Sequence, residues 1–205
     1  MATLAALLSL APLSSAAEDA TPQPAGDVPP PSLCTAAPPS LDQLNAEIVA
    51  AGAVSATSGP GLPGGLARDV VPEGTAADAV TVAGIEAATR ELVACYNAGE
   101  PLRVLGLYTP TARGALYARQ GRFAADAYAA LATPTAADPA DRDAILAIRD
   151  VRLLADGHVG ATVTISYAVV PEPKTFFFVY EFECGNDRDR WLIDGILGEL
   201  SFSVP

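Results

Sequence analysis

The apolar residues of this chain change their spacing once, and that switch limits the fold more than any other feature. In TVAGIEAATRELVACYNAG, Ile85, Ala88, Leu92, Val93 and Tyr96 fall on one stripe of a helix. Gly99 is a natural left-handed terminator. Pro101 then suits the first turn of a second helix, with Glu100 at its positive end, and Thr109-Pro110 stops it. RFAADAYAALA, residues 122–132, predicts a third helix.

Past the PTAADPADRD loop the period falls to two. ILAIRDVRLL leads into Asp156-Gly157, a hairpin signal that leaves His158 exposed in the turn. ATVTISYAVV places Val163, Ile165, Tyr167 and Val169 on one face. TFFFVYEFEC places Phe176, Phe178, Tyr180, Phe182 and Cys184 on one face, with Phe177 and Val179, then Glu181 and Glu183, on the other. GNDRD is a turn and RWLIDGILGEL the closing strand. Helices followed by an antiparallel meander make an α+β fold, with N-terminal helices packed on a curved antiparallel sheet of about four strands.

The segment ahead of Val80 reads differently. Residues 4–13, LAALLSLAPL, are apolar but too short to span a bilayer, and SSAAED follows with small residues at Ser15 and Ala17. Residues 1–17 are therefore expected to be a secretory signal, although no basic residue precedes Arg68. Residues 18–39 are rich in Pro and Ala and predict a linker that does not pack. In SLDQLNAEIVAAGA, Ser40 and Gln43 have capping-box spacing, and Leu41, Leu44, Ile48 and Val49 mark one face of a short helix over 40–51. Residues 54–79, including GPGLPGG, predict a loop.

The formal charge of −12 argues against a nucleic-acid partner, which needs clustered Lys and Arg. Of the three cysteines, none forms a CxxC pair or a metal-ligand spacing, and Leu33 before Cys34 argues against a lipid anchor, so no stable membrane anchor is expected. In an exported protein two cysteines can bridge. The expected pair is Cys34–Cys95, closing a loop of about sixty residues worth roughly 3–4 kcal/mol, with Cys95–Cys184 as the rival. Cys184 otherwise reads as a small core hydrophobe.

LVACYNAGEPLRVLGLYTPTA at the front of residues 80–205 and RWLIDGI at their end resemble the nuclear-transport-factor-2-like, or SnoaL-like, superfamily of cystatin-like α+β folds. The first stretch resembles the family's helix, N-x-G-D/E break and second helix, and the second its closing W-x-I-D strand. The N-terminal extension with Cys34 and SLDQL is similar to that of exported bacterial members. The resemblance implies a cone-shaped sheet wrapped over helices around a pocket. Such pockets serve isomerases, dehydratases, cyclases and hydrolases in some members, and binding or dimerisation in others, so fold does not give function.

Ketosteroid-isomerase chemistry needs a phenol and a carboxylate. Aligned on Asn97-Ala98-Gly99, the family's catalytic tyrosine falls on Leu92 and its aspartate near Leu116, and neither can exchange a proton. A nucleophilic triad or a metal centre would rest on the single histidine, His158, so no catalytic residue, metal or cofactor is expected. Asp194 is expected to orient backbone or pair with an arginine. Tyr96, Tyr108, Tyr117, Tyr167 and Tyr180 sit near predicted inner faces, and Arg113 is the candidate for an anionic group. The expectation is thus a secreted, non-catalytic module that binds a small apolar molecule or a protein partner, a second copy included. The alternative is an enzyme acting on a small hydrophobic substrate, and a third option has helix 40–51 docking on a partner.

Overall fold

A computed structural model describes residues 26–57, 71–118, 121–184 and 189–199. The expected signal over 1–17, residues 18–25 of the expected linker and the GPGLPGG loop lie outside the described residues. Among the described residues, five α-helices, α1 (Leu41–Thr57), α2 (Ala79–Asn97), α3 (Pro101–Leu105), α4 (Pro110–Tyr117) and α5 (Ala125–Leu131), accompany five strands. The strands are β1 (Gly74–Ala76), β2 (Ala144–Leu154), β3 (Val159–Ser166), β4 (Lys174–Glu183) and β5 (Arg190–Glu199). They form one open antiparallel sheet in the order β1-β2-β3-β4-β5. The fold is α+β, with one strand more than the four expected. The extra strand, β1, is three exposed residues paired to the end of β2, too short to carry an alternating pattern.

Asp78 caps α2 by accepting from the Thr81 amide at 2.8 Å, and α2 ends where Gly99 takes a φ of 61°. Thr109-Pro110, expected to stop the second helix, instead starts α4; α3 ends earlier, at Leu105, with Gly106 as its cap. Thr109 Oγ1 accepts from the Ala112 amide at 3.1 Å, and Pro110 occupies the first turn of α4. A proline that cannot extend a helix is well placed to begin one.

The stripe of α2 packs on the inner face of the sheet. Ile85, Leu92 and Val93 are buried against Val163, Ile165, Phe178 and Tyr180. Burial of each such side chain contributes about 1.5–3 kcal/mol. The opposite face is apolar too: Phe177, Val179, Leu154 and Leu197 form a buried cluster with Val71 against it. This second face of the sheet is therefore largely covered at these positions and offers little open surface for association there. Phe182 and Cys184, expected inside, are exposed, and Val169 lies beyond the end of β3 at 90% exposure. Alternation fixes which side of a strand a residue takes, but not how far along the strand the covering helices reach.

Residues 26–39 are not a loose linker. Asp27 exchanges two backbone hydrogen bonds with Ile145 of β2, and its carboxylate pairs with Arg90. A 3-10 turn at Pro31–Leu33 leads to the Cys34–Cys95 disulfide, and the amide and hydroxyl of Thr35 donate to Glu91 at 2.9 and 2.8 Å. The physical reason lies in what proline removes and what it leaves. The segment has few amide donors, but its carbonyls still accept. Asn97 donates to Pro29, Arg103 to Ala36 and Tyr128 to Pro39.

Helix α1, which extends past the predicted 40–51, docks on this chain rather than standing free for a partner. Ser40 accepts from the Gln43 amide at 3.1 Å, and Leu44 and Ile48 are each 1% exposed. Val49, expected on the same face, is turned out to solvent. Gly114 of α4 lies against the backbone carbonyl of Glu47, where a side chain would not fit.

Candidate functional site: a buried phenol cluster

Four of the five tyrosines named from the sequence come from different elements and converge. Tyr96 stands on the last turn of α2, and Tyr108 follows α3, where the chain bridges to Ile193 of β5. Tyr167 lies just past β3, and Tyr180 lies in the middle of β4. Tyr96 and Tyr108 lie close enough for each hydroxyl to influence the ionisation of the other, and Tyr108 senses Tyr167 and Tyr180 electrostatically. Tyr96 is 47% exposed as a residue, yet burial around its hydroxyl raises the pKa of that group.

The four phenols do not play equal parts. The Thr89 hydroxyl donates to the Ile85 carbonyl at 2.7 Å and lies 2.8 Å from the Tyr180 hydroxyl. One hydroxyl has one proton, so Tyr180 donates to Thr89. Tyr180 is thereby engaged within the core, fully buried and stacked on Phe178. Tyr96, Tyr108 and Tyr167 remain as the groups that can address a ligand. Sequence reasoning missed a carboxylate beside them, that of Asp143. Asn97 holds Asp143 by accepting from its amide at 2.8 Å and donating to its carbonyl at 3.1 Å. Burial raises the carboxyl pKa, opposed by the Ala168 amide that donates to it, and its charge is felt by Tyr96 and Tyr167. In the sequence Asp143 is one of three acids in ADPADRD, with nothing to single it out.

Burial raises the phenols of Tyr96, Tyr108, Tyr117, Tyr167 and Tyr180, that of Tyr167 to about 12. All are therefore neutral donors at ordinary pH. A folded-state pKa above the unfolded value, near 10, contributes stability that is complete below the unfolded value and lost as pH rises through the folded one. In an alkaline titration read by phenolate absorbance, Tyr108 and Tyr180 are expected to ionise only together with loss of near-ultraviolet circular dichroism. Smooth ionisation of all six tyrosines near pH 10 in a folded protein would contradict the buried cluster.

Tyr117 and Arg113 do not reach the center of the cluster. Tyr117 packs with Leu44, Leu102 and Leu105, its ring edge-on to Phe123 at 5.0 Å between centroids. Arg113 is buried, and Glu47 takes its guanidinium at 2.9 and 2.7 Å while the carbonyls of Leu105 and Tyr108 accept at 3.2 and 2.8 Å. All three nitrogens of that buried fork are engaged, and its charge is already met by Glu47, so it is not presented to an anionic ligand. Leu92 is buried and Leu116 exposed, so the two positions that would carry isomerase chemistry hold aliphatic groups in unlike settings.

Elsewhere, a groove of about 240 Å³ runs between α2 and β2, lined by Asp27, Glu86, Arg90 and residues 145–148. His158 is not the exposed turn residue expected. Its side chain is 28% exposed and lies between Asp156 and Asp194. Among the described residues Asp194 pairs with no arginine, and it accepts from the Thr109 hydroxyl at 2.6 Å. No protein-family model, curated protein or solved structure matches the chain.

Proposed function

We propose that the chain is an exported, non-catalytic binding module of the cone-shaped, SnoaL-like kind. Its ligand is a small, mostly apolar molecule with one hydrogen-bond acceptor, such as a carbonyl oxygen. The observation that carries this reading is the convergence of Tyr96, Tyr108 and Tyr167, neutral donors on an apolar interior, with Tyr96 partly exposed to solvent. An apolar site with a few convergent polar groups is the common form of a small-molecule site. The disulfide supports an oxidising, extracytoplasmic compartment, and no described helix is long and apolar enough to cross a membrane.

The test is a near-ultraviolet difference titration with a series of cyclic ketones of increasing size, beside native mass spectrometry of the protein as recovered from its source. Saturable binding is expected. Tyr96→Phe and Tyr108→Phe should each weaken it about two- to tenfold, the range of one hydrogen bond. Binding that ignores both substitutions, or none for any ketone with no retained mass, would sink the reading.

A second reading, an enzyme on a small hydrophobic substrate, is favoured by one observation: the half-buried Asp143 carboxyl, raised in pKa, beside Tyr96 and Tyr167. Buried carboxyls of raised pKa are the usual form of a general acid or base. Asp143→Asn separates the two, since it preserves binding in either case and removes turnover only in the second.

A further inference from the structure

We propose that His158, Glu181 and Asp194 form a binding site for one divalent transition-metal ion, with zinc the best fit. The three are far apart in sequence, and the sheet register gathers them. His158 leads directly into β3, whose Val159 pairs with Tyr180 of β4, and Tyr180 pairs with Ile193 of β5. Glu181 and Asp194 are the next residues along. Asp194 is skipped in the pairing of β5 with β4, where Val179 faces Gly195 and Tyr180 faces Ile193. It is the extra residue of a β-bulge, a device that re-aims one side chain. One donor atom from each of the three residues lies within 4.8 Å of the others.

The spacing suits a shared cation better than an ion pair. His158 Nε2 and Asp194 Oδ2 are 3.5 Å apart, long for a charge-assisted hydrogen bond. Two ligands about 2.0–2.1 Å from one tetrahedral zinc are separated by roughly 3.3 Å. Glu181 is exposed and can close the remaining gap by turning its side chain.

The outer contacts point the same way. Asp156 Oδ1 stands 3.1 Å from His158 Nδ1, but off the line that a hydrogen bond needs, so Nδ1 is buried with no aligned partner. A carboxylate on one ring nitrogen, with the other nitrogen on the metal, is the usual outer arrangement of a zinc-bound histidine. A small ring rotation on ligation would align it. On the other ligand, Thr109 donates to Asp194 Oδ1 and leaves Oδ2 toward His158. Three carboxylates around one imidazole leave a negative charge that a dication neutralises. A mixed set of one nitrogen and two oxygens suits zinc better than magnesium or calcium, which take six or more oxygens.

Equilibrium dialysis of the untagged chain carrying Cys184→Ser, which removes the exposed thiol as a competing ligand, is expected to show one zinc ion per chain at micromolar zinc. His158→Ala and Asp194→Asn should each weaken binding more than tenfold, and Asp156→Asn by about 10–100-fold. Asp194 also holds Thr109, so its variant could disturb β5. Glu181→Gln, at an exposed position, should leave the circular dichroism unchanged and still weaken binding about tenfold. Because the chain has one histidine, zinc should also move a single imidazole nitrogen resonance, that of Nε2. The proposal is overturned if no stoichiometric binding occurs, if binding survives both His158→Ala and Glu181→Gln, or if magnesium binds equally well. None of these readouts depends on the phenol cluster.

Discussion

Removing the Cys34–Cys95 bond is expected to lower the unfolding free energy by about 4 kcal/mol. The half-cystines are 61 residues apart, and in the chain-entropy model a loop of that size restrains the unfolded chain by about that amount. For a chain this long, each kcal/mol moves the melting temperature by about 2–4 °C. Cys34→Ser with Cys95→Ser should therefore melt roughly 8–16 °C below the parent in calorimetry. The comparison belongs in a Cys184→Ser background, so that the exposed thiol cannot exchange into the bridge. A drop under about 2 °C would contradict the account in which the bond acts by restraining the unfolded chain.

The second large effect is expected at Arg113 and Glu47, whose side chains are only 5% and 11% exposed. Taking away one partner leaves the other charge buried and unpaired, which costs about 3–5 kcal/mol. Arg113→Met and Glu47→Met should each show a loss of that size in urea unfolding. The double variant should recover most of it, because two apolar chains of similar volume replace a pair whose desolvation offsets much of its attraction. Strict additivity of the single losses would contradict this account. The Leu105 and Tyr108 carbonyls, which accept from Arg113, limit the recovery.

These two predictions also mark how much could be read from the residues alone. Periodicity placed α2, the meander and the inward set of Val163, Ile165, Phe178 and Tyr180, because one buried face dictates spacing within an element. The spacing of Cys34 and Cys95 permitted the bridge without requiring it. What could not be read depends on contacts across long separations. Arg113 looked free for an anion because Glu47, 66 residues earlier, carries no mark of its partner. His158 looked like a turn residue because its place beside Asp194 depends on strand register and on a bulge. Residues 26–39 looked unpacked because proline content measures missing donors and says nothing of the side chains that reach the carbonyls. The tyrosines were legible as inward groups, but which of them keeps a free proton depended on Thr89.

The borders of the sheet have one more consequence. On one side Asp27 and the three-residue β1 occupy the outer rim of β2 at Ile145 and along residues 152–154. On the other, Leu107 and Thr109 take both main-chain hydrogen bonds of Ile193, midway along β5. Unpaired rims are where strands from separate molecules join and fibrils begin. Among the described residues, a foreign strand meets only short stretches on either side. A chain so fenced should tolerate crowding and high concentration without polymerising, and the same fencing leaves side-chain surfaces, rather than strand addition, as the means by which it would recognise another molecule.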